Sequence, residues 1–269
     1  MKNIMKIVWM IHFPPLLWFS EYPWIELISK KMLRDAEQLV KWWVDAIMIE
    51  NNYDLPHTIK IEPHIVLQMN QLASKLRESY KDIELWICCL RNDWESWLSI
   101  ANNCWFDFVR IPVFVDTIET KYGQTIIWTP EKVMEFRKKI RAEHIRIYVD
   151  VQVKHSTLIN KRPIEESIVE ACDKWADWVI ITWNRTWDLP TIKDLEAARE
   201  VISWGQELII WSWVSLENID TIKSVVDTAI IWTAFKTNDW ASHDVNVRWW
   251  EESIDSKKVR EICLKVNVV

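Results

Sequence analysis

Ile145-Arg146-Ile147-Tyr148-Val149-Asp150-Val151-Gln152-Val153-Lys154 alternates without a break. One set of positions is entirely isoleucine and valine. The other carries Arg146, Tyr148, Asp150, Gln152 and Lys154. Successive side chains of a strand point to opposite faces. A wholly β-branched face suits packing against helices, and the polar face must then meet a different environment. In a closed parallel barrel that environment is the barrel axis and its upper mouth.

Working outward, short apolar runs at 6–11, 44–50, 83–89, 106–111, 145–151, 177–182, 207–211 and 227–231 read as strands. Amphipathic stretches near 26–41, 63–79, 93–103, 130–142, 164–174, 191–203, 215–224 and 255–265 read as helices. Eight strand–helix repeats in 269 residues predict an α/β fold, a single (β/α)8 or TIM barrel, whose typical length is ~250 residues. One domain then spans 1–269. A doubly wound open sheet is the alternative, and eight units in this length favour closure. The polar segment 237–253 reads as a loop after the eighth strand.

Net charge is −6, with 49% apolar and 27% charged residues. That balance is globular and carries no basic footprint for nucleic acid. The opening MKNIMKIVWMIHFPPLLWF is interrupted by His12, Pro14 and Pro15 and lacks a small-residue cleavage site, so it does not read as a signal peptide. No run approaches the ~20 apolar residues of a membrane span. Cys88, Cys89, Cys104, Cys172 and Cys263 form no C-x-x-C pair and read as reduced thiols of a cytoplasmic protein.

Tryptophan occurs 21 times and glycine twice, at Gly123 and Gly205, where average usage would give ~19 glycines. Helix-to-strand turns, where glycine is usual, read Lys41-Trp42-Trp43-Val44-Asp45, Cys104-Trp105-Phe106-Asp107 and Lys174-Trp175-Ala176-Asp177. The reading is that most of these tryptophans are glycines in nature. A gene from a lineage that reads UGA as glycine, translated with UGA as tryptophan, produces this pattern and spares ordinary glycine codons. A deliberate substitution scheme should not have spared Gly123 and Gly205.

Read with glycine, Ile209-Ile210-Trp211-Ser212-Trp213-Val214 and Ile230-Ile231-Trp232-Thr233-Ala234 become IIGSGV and IIGTA. Two glycine turns after the last two strands expose backbone N–H groups to an anion, and a helix N-terminus adds to the field. Trp211, Ser212, Trp213, Trp232 and Thr233 are therefore the candidate phosphate site. Tight βα turns without a ligand are the bland alternative.

Other strand ends carry the remaining candidates. Glu50-Asn51-Asn52-Tyr53-Asp54 suits loop capping, substrate contact or, through Glu50 and Asp54, metal ligation, although no histidine has diagnostic spacing. No metal and no cofactor are assigned. In Leu90-Arg91-Asn92-Asp93, Asp93 can cap the next helix and Arg91 can clamp an anion. Arg110 is a second clamp, or a barrel-lining partner of Asp150. Asp150, Lys154 and His155 can supply acid–base or nucleophilic groups. His12 and Thr182 complete the substrate-binding set with Asn51, Arg91, Asn92 and Arg110; Glu50, Asp150, Lys154 and His155 form the catalytic set. Thr182-Trp183-Asn184-Arg185-Thr186-Trp187-Asp188 reads as a lid or ligand loop.

At these residues the chain resembles the BtpA/SgcQ family. The resemblance is carried by His12 to Leu16 (HFPPL), Asp45 to Asn51 (DAIMIEN), Leu90 to Asp93 (LRND), Phe108 to Ile111 (FVRI), Asp150 to His155 (DVQVKH), Ala176 to Thr182 (ADWVIIT) and the turn after the seventh strand. It runs from about 6 to 236, departs over 237–253, and has glycine at many positions that are tryptophan here. It implies a phosphate-binding-type barrel. The family is named for photosystem I biogenesis, and no settled reaction comes with it. Two functions compete. One is an enzyme for a small phosphorylated sugar or nucleotide-like compound, by lyase, isomerase or glycosyl-bond chemistry. The other is a non-catalytic assembly factor for a membrane complex, which needs a large exposed apolar patch. Charged strand ends favour the enzyme. A homo-oligomer is compatible with either.

Overall fold

The eight apolar runs form strands because each can bury one face against helices and the other inside a barrel. The structure, a computed structural model, describes residues 4–88, 90–182, 192–202, 205–211, 214–237 and 252–267. The barrel strands are β1 (Lys6–His12), β2 (Ala46–Glu50), β3 (Glu84–Cys88), β4 (Phe108–Ile111), β7 (Arg146–Val151), β9 (Trp178–Ile181), β10 (Leu208–Trp211) and β11 (Thr228–Ile231). They close in the order β1-β11-β10-β9-β7-β4-β3-β2. Every neighbour pairs in parallel, and the seam runs from Lys6↔Thr228 to Trp9↔Ile231. The closed (β/α)8 barrel follows the sequence reading, with strand ends within two residues.

The helices are α1 (Ile25–Val40), α2 (Pro63–Ser79), α3 (Trp94–Cys104), α4 (Pro130–Lys139), α5 (Ile164–Asp173), α6 (Ile192–Val201), α7 (Ile219–Ile222) and α8 (Ser256–Asn267). Pro63 and Pro130 start α2 and α4, where a missing N–H costs nothing. The expected helix over 215–224 shrinks to the single turn α7. Asn218 Oδ1 accepts the Ser215 N–H at 2.8 Å, a local bond that competes with an earlier helix start.

A small antiparallel sheet, β6 (Thr125–Ile126), β5 (Ile118–Thr120) and β8 (Ser156–Leu158), was not expected. Its hairpin turns at Gly123, whose φ of 74° suits glycine.

One device repeats along the lower rim. Asp45, Asp107, Asp177 and Asp227 each accept the N–H that opens a neighbouring strand: Ile7 at 2.7 Å, and Leu85, Ile147 and Leu208 at 2.8 Å. Three of these aspartates follow left-handed helix ends. Trp43, Trp105 and Trp175 have φ of 57°, 55° and 69°. The next N–H reaches back five residues, Phe106 to Ala101 at 2.9 Å and Ala176 to Ala171 at 3.0 Å, which is the Schellman closure.

Of the nine non-glycine residues with positive φ among the described residues, five are tryptophan: Trp18, Trp24, Trp43, Trp105 and Trp175. All five indoles are exposed, so no burial offsets their left-handed backbone. Elsewhere Trp9, Trp86, Trp97 and Trp211 are buried, and their indole N–H groups have no hydrogen-bond partner among the described residues. Buried indoles normally find one. Trp105→Gly and Trp175→Gly are each expected to raise stability by about 1 kcal/mol. Urea unfolding checks this, and a loss at both turns would refute the glycine reading there.

The lower half of the barrel interior is aromatic. Trp86, Phe108 and Trp178 pack around Tyr148 with ring centroids 4.5–4.6 Å away. Above this apolar floor the interior becomes charged.

Candidate active site at the barrel mouth

Register sets the charged layer. His12 pairs with Glu50, and Glu50 with Cys88, so three side chains stand at one height on β1, β2 and β3. Arg110 on β4 reaches into this layer. Its Nε and Nη2 donate to the two Asp150 carboxylate oxygens at 2.8 and 2.6 Å. Its Nη1 donates to Glu50 Oε1 at 3.0 Å and to Cys88 Sγ at 3.3 Å. Arg110, Asp150 and Glu50 are each at most 2% exposed.

Electrostatics follow from burial and from Arg110. Burial favours the neutral Glu50 carboxyl, but the His12, Arg110 and Cys88 contacts outweigh it and hold the group at about 2. Burial pushes His12 below its usual value despite Glu50. His12 is therefore neutral at pH 7; of the contacts that hold Glu50 low, those with His12 come first and Arg110 next. His12 Nε2 lies 3.0 Å from Glu50 Oε2, but not in hydrogen-bond alignment. Burial raises the Asp150 carboxyl, against the pull of Arg110.

Lys154 sits beyond the end of β7. Its backbone N–H donates to Thr182 Oγ1 at 3.1 Å, so Thr182 positions the lysine. Burial and Arg110 lower the ammonium to about 8, against Glu50 and Asp150. His155 follows with φ of 61°; burial and the Lys154, Lys121 and Arg91 charges lower it to about 4.

Two expected site groups turn out to brace loops. Asn51 Nδ2 donates to Asp54 at 2.9 Å, and Asn51 Oδ1 accepts from Leu90 N at 2.9 Å. Asp54 also accepts the Leu16 N–H at 2.8 Å, tying three mouth loops together; burial lifts Asp54 to about 6. Asn92 uses both ends of its amide on the Val113 backbone, at 3.0 Å each. Asp93 caps α3 through Ser96.

The rim above β10 and β11 is filled by indoles. Trp211 lies on the Arg110 guanidinium, 3.5 Å from Cζ to the ring centroid, and Lys154 Nζ is 4.8 Å from the same centroid. Trp232 meets His12 edge-on at 4.8 Å. Thr233 closes a turn through its carbonyl to Lys236 N, at 3.0 Å. Ser212, Trp213, the 183–188 segment and most of 237–253 lie outside the described residues.

The layer thus gathers Glu50, Arg110, Asp150, His12 and Lys154. Sequence reasoning missed Cys88, because a cysteine inside an apolar strand carries no chemical signal. It also missed His57 and Tyr122; the Tyr122-Gly123 turn between two short apolar runs was the available cue. Among the described residues, no group of three or more His, Cys, Asp or Glu is placed to hold a metal ion. No helix among them is long and apolar enough to cross a membrane.

Comparisons agree with this architecture. The family model described as the BtpA family matches residues 3–268. An uncharacterized protein of Methanocaldococcus jannaschii is 28% identical over 90% of each chain. Photosystem I biogenesis protein BtpA of Synechocystis is 24% identical over 78% of this chain and 72% of its own. Among solved structures, thiamine phosphate pyrophosphorylase from Pyrococcus furiosus superposes with a TM-score of 0.57 at 15% identity, covering 99% of both chains. A tryptophan synthase alpha-subunit from the same organism gives 0.62 at 11% identity, covering 97% of this chain and 98% of that one. These structures share the fold.

Proposed function

The chain belongs to the BtpA family, and from that premise we propose that it is an enzyme acting on a small phosphorylated, sugar- or nucleotide-like substrate held across the barrel mouth. The observation that carries this reading is the buried Arg110–Asp150–Glu50 cluster beside Lys154. Removing ions from water costs several kcal/mol each, and apolar side chains of similar volume usually stabilise a core as well or better. A scaffold protein has no use for such a layer. In this fold, catalytic groups sit at the C-terminal strand ends.

The roles follow. The loops after β10 and β11 hold the phosphate through Ser212, Thr233 and backbone N–H groups, with glycine at positions 211, 213 and 232. The five left-handed tryptophans and four unpartnered buried indoles support that glycine reading. An amine at about 8 is partly neutral near pH 7.5, so Lys154 can attack a substrate carbonyl or relay a proton. This favours lyase or isomerase chemistry over glycosyl-bond cleavage. Neutral His12 and His155 can exchange protons with the substrate, while Glu50 and Asp150 hold Arg110 in place. The Pyrococcus neighbour is named for a phosphorylated compound, thiamine phosphate, which fits the same reading.

The assembly-factor alternative rests on the name of the Synechocystis relative. It needs an apolar docking patch, yet Trp18, Trp24, Trp43, Trp105 and Trp175, which dominate the exposed aromatic surface of the described residues, are the side chains that the glycine reading removes.

The test is a thermal-shift screen of the glycine-bearing protein against phosphorylated metabolites. A substrate at a hundred times its Kd should add about 2.7 kcal/mol, or about 5–10 °C for a domain of this size. Ser212→Ala should lose most of that shift, and Lys154→Ala should abolish turnover while keeping part of it. No stabilisation by any compound, or equal shifts in both variants, rejects the enzyme.

A further inference from the structure

Barrel order places β3 and β4 diametrically opposite β10 and β11. On that far side, three loops and a hairpin converge. The loop after β2 supplies His57, the loop after β3 supplies Arg91, the β5–β6 hairpin supplies Lys121 and Tyr122, and the chain after β7 supplies His155.

Tyr122 is the hub. Arg91 Cζ is 6.0 Å, Lys121 Nζ 5.0 Å and the His57 ring 6.4 Å from its ring centroid. The cationic groups also sense one another. Burial lowers His57 to about 4, with Arg91 and Lys121 adding to it, and His155 is lowered by burial and by Lys154, Lys121 and Arg91. Among the described residues, neither Arg91 nor Lys121 has an ion pair, and Glu50 is already engaged by Arg110.

Two polar atoms in this corner are left over. Arg91 Nε is buried without a hydrogen-bond partner among the described residues. His57 is 7% exposed; its Nε2 donates to the Asn52 carbonyl at 2.9 Å, which leaves Nδ1 as a buried acceptor with no partner. An unsatisfied buried polar atom costs about 1–3 kcal/mol. A group that accepts from Arg91 and Lys121 and offers an O–H to His57 satisfies both. A phosphate monoanion does this, and so does a carboxylate flanked by a hydroxyl.

We propose that Arg91, Lys121, Tyr122 and His57 form a second anion subsite, so that the substrate carries an anionic group at each end and spans the mouth between them. The spanning substrate rests on the phosphate reading of the β10 and β11 loops; the subsite itself does not. Lys154 would then face the middle of the substrate rather than its end.

Two measurements separate these claims. First, inorganic phosphate is titrated into the full chain and the imidazole nitrogen resonances of His57 and His155 are followed. Both should shift and saturate together. Arg91→Met and Lys121→Met should each weaken the response about tenfold, the loss of one charge-assisted hydrogen bond, and Ser212→Ala should leave it unchanged. Lys121 is exposed, so its variant keeps the fold. No saturable His57 shift, or the same affinity in both variants, overturns the subsite.

Second, calorimetry on the chain with glycine at 211, 213 and 232 compares fructose 6-phosphate with fructose 1,6-bisphosphate and 6-phosphogluconate. At least one doubly anionic compound should bind about tenfold or more tighter, and Arg91→Met should erase that margin. Equal binding of all three overturns the spanning substrate. If Ser212→Ala changes none of these affinities while Arg91→Met still does, the β10/β11 phosphate reading fails and the subsite stands.

Discussion

Arg110→Met is expected to cost about 3–5 kcal/mol of folding stability at pH 7, the usual result of breaking a buried charge cluster from one side. Arg110 is the hub for both buried carboxylates, bonding Asp150 through two nitrogens and Glu50 through a third. Removing it strands two acidic groups above an apolar floor. Arg110→Lys should recover only part of the loss, because an ammonium cannot reproduce the planar two-point contact with Asp150. Pairing Arg110→Met with Asp150→Asn and Glu50→Gln should recover most of it.

The acid limb gives a second readout. The Glu50 carboxyl titrates at about 2 when folded against 4.5 ordinarily. The stability it contributes is present in full above 4.5 and is lost as pH falls from 4.5 toward 2. The size is on the order of 3 kcal/mol. In Arg110→Met that limb should flatten in part, because the His12 contacts with Glu50 remain. Urea unfolding between pH 2 and 7 measures both effects. A loss below about 1 kcal/mol, with an unchanged acid limb, would show that the carboxylates reach water without Arg110.

The parity of one strand placed part of the charged layer. Tyr148 and Asp150 do face the axis, Tyr148 in the aromatic floor and Asp150 in the polar layer above it, but Gln152, with φ of 50°, turns its amide to Ser167 of α5 instead. The Arg110–Asp150 pair was readable as one of two alternatives, because both residues end strands that neighbour each other in a barrel. What could not be read depends on contacts between distant loops. Whether Asn51 and Asn92 meet a ligand or brace a loop depends on where Leu90 and Val113 lie, and no local pattern encodes that. His57 was invisible for the same reason, since Tyr122 and Arg91 reach it only once the small sheet has formed. The aspartates of the lower rim recur in sequence after four of the turns, yet their role appears only with the strand N–H groups they accept.

The second large effect belongs to the rim. Trp211→Gly, Trp213→Gly and Trp232→Gly together should convert β10 and β11 loops with no measurable phosphate affinity of their own into a second site, across the mouth from the Arg91 subsite, that binds phosphorylated ligands saturably. Two or three charge-assisted backbone hydrogen bonds, at about 1.5–3 kcal/mol each, correspond to a gain of roughly 10²–10⁴-fold or more. Truncating a buried tryptophan usually costs 3–5 kcal/mol, and at Trp211 the stacking on Arg110 is lost as well, at about 2 kcal/mol. Against that, Trp211 ends β10 at the barrel mouth and is still 5% exposed, and the penalty of its unpartnered indole N–H disappears. Stability should therefore fall by much less than a core truncation while ligand affinity rises steeply, a combination that no structural tryptophan would give. The gene supplies the independent check. UGA codons at Trp42, Trp175, Trp211 and Trp213, with a mass deficit of one tryptophan-to-glycine exchange per such codon in protein from the native cell, are the expected result; UGG codons there would make the filled mouth the biological one.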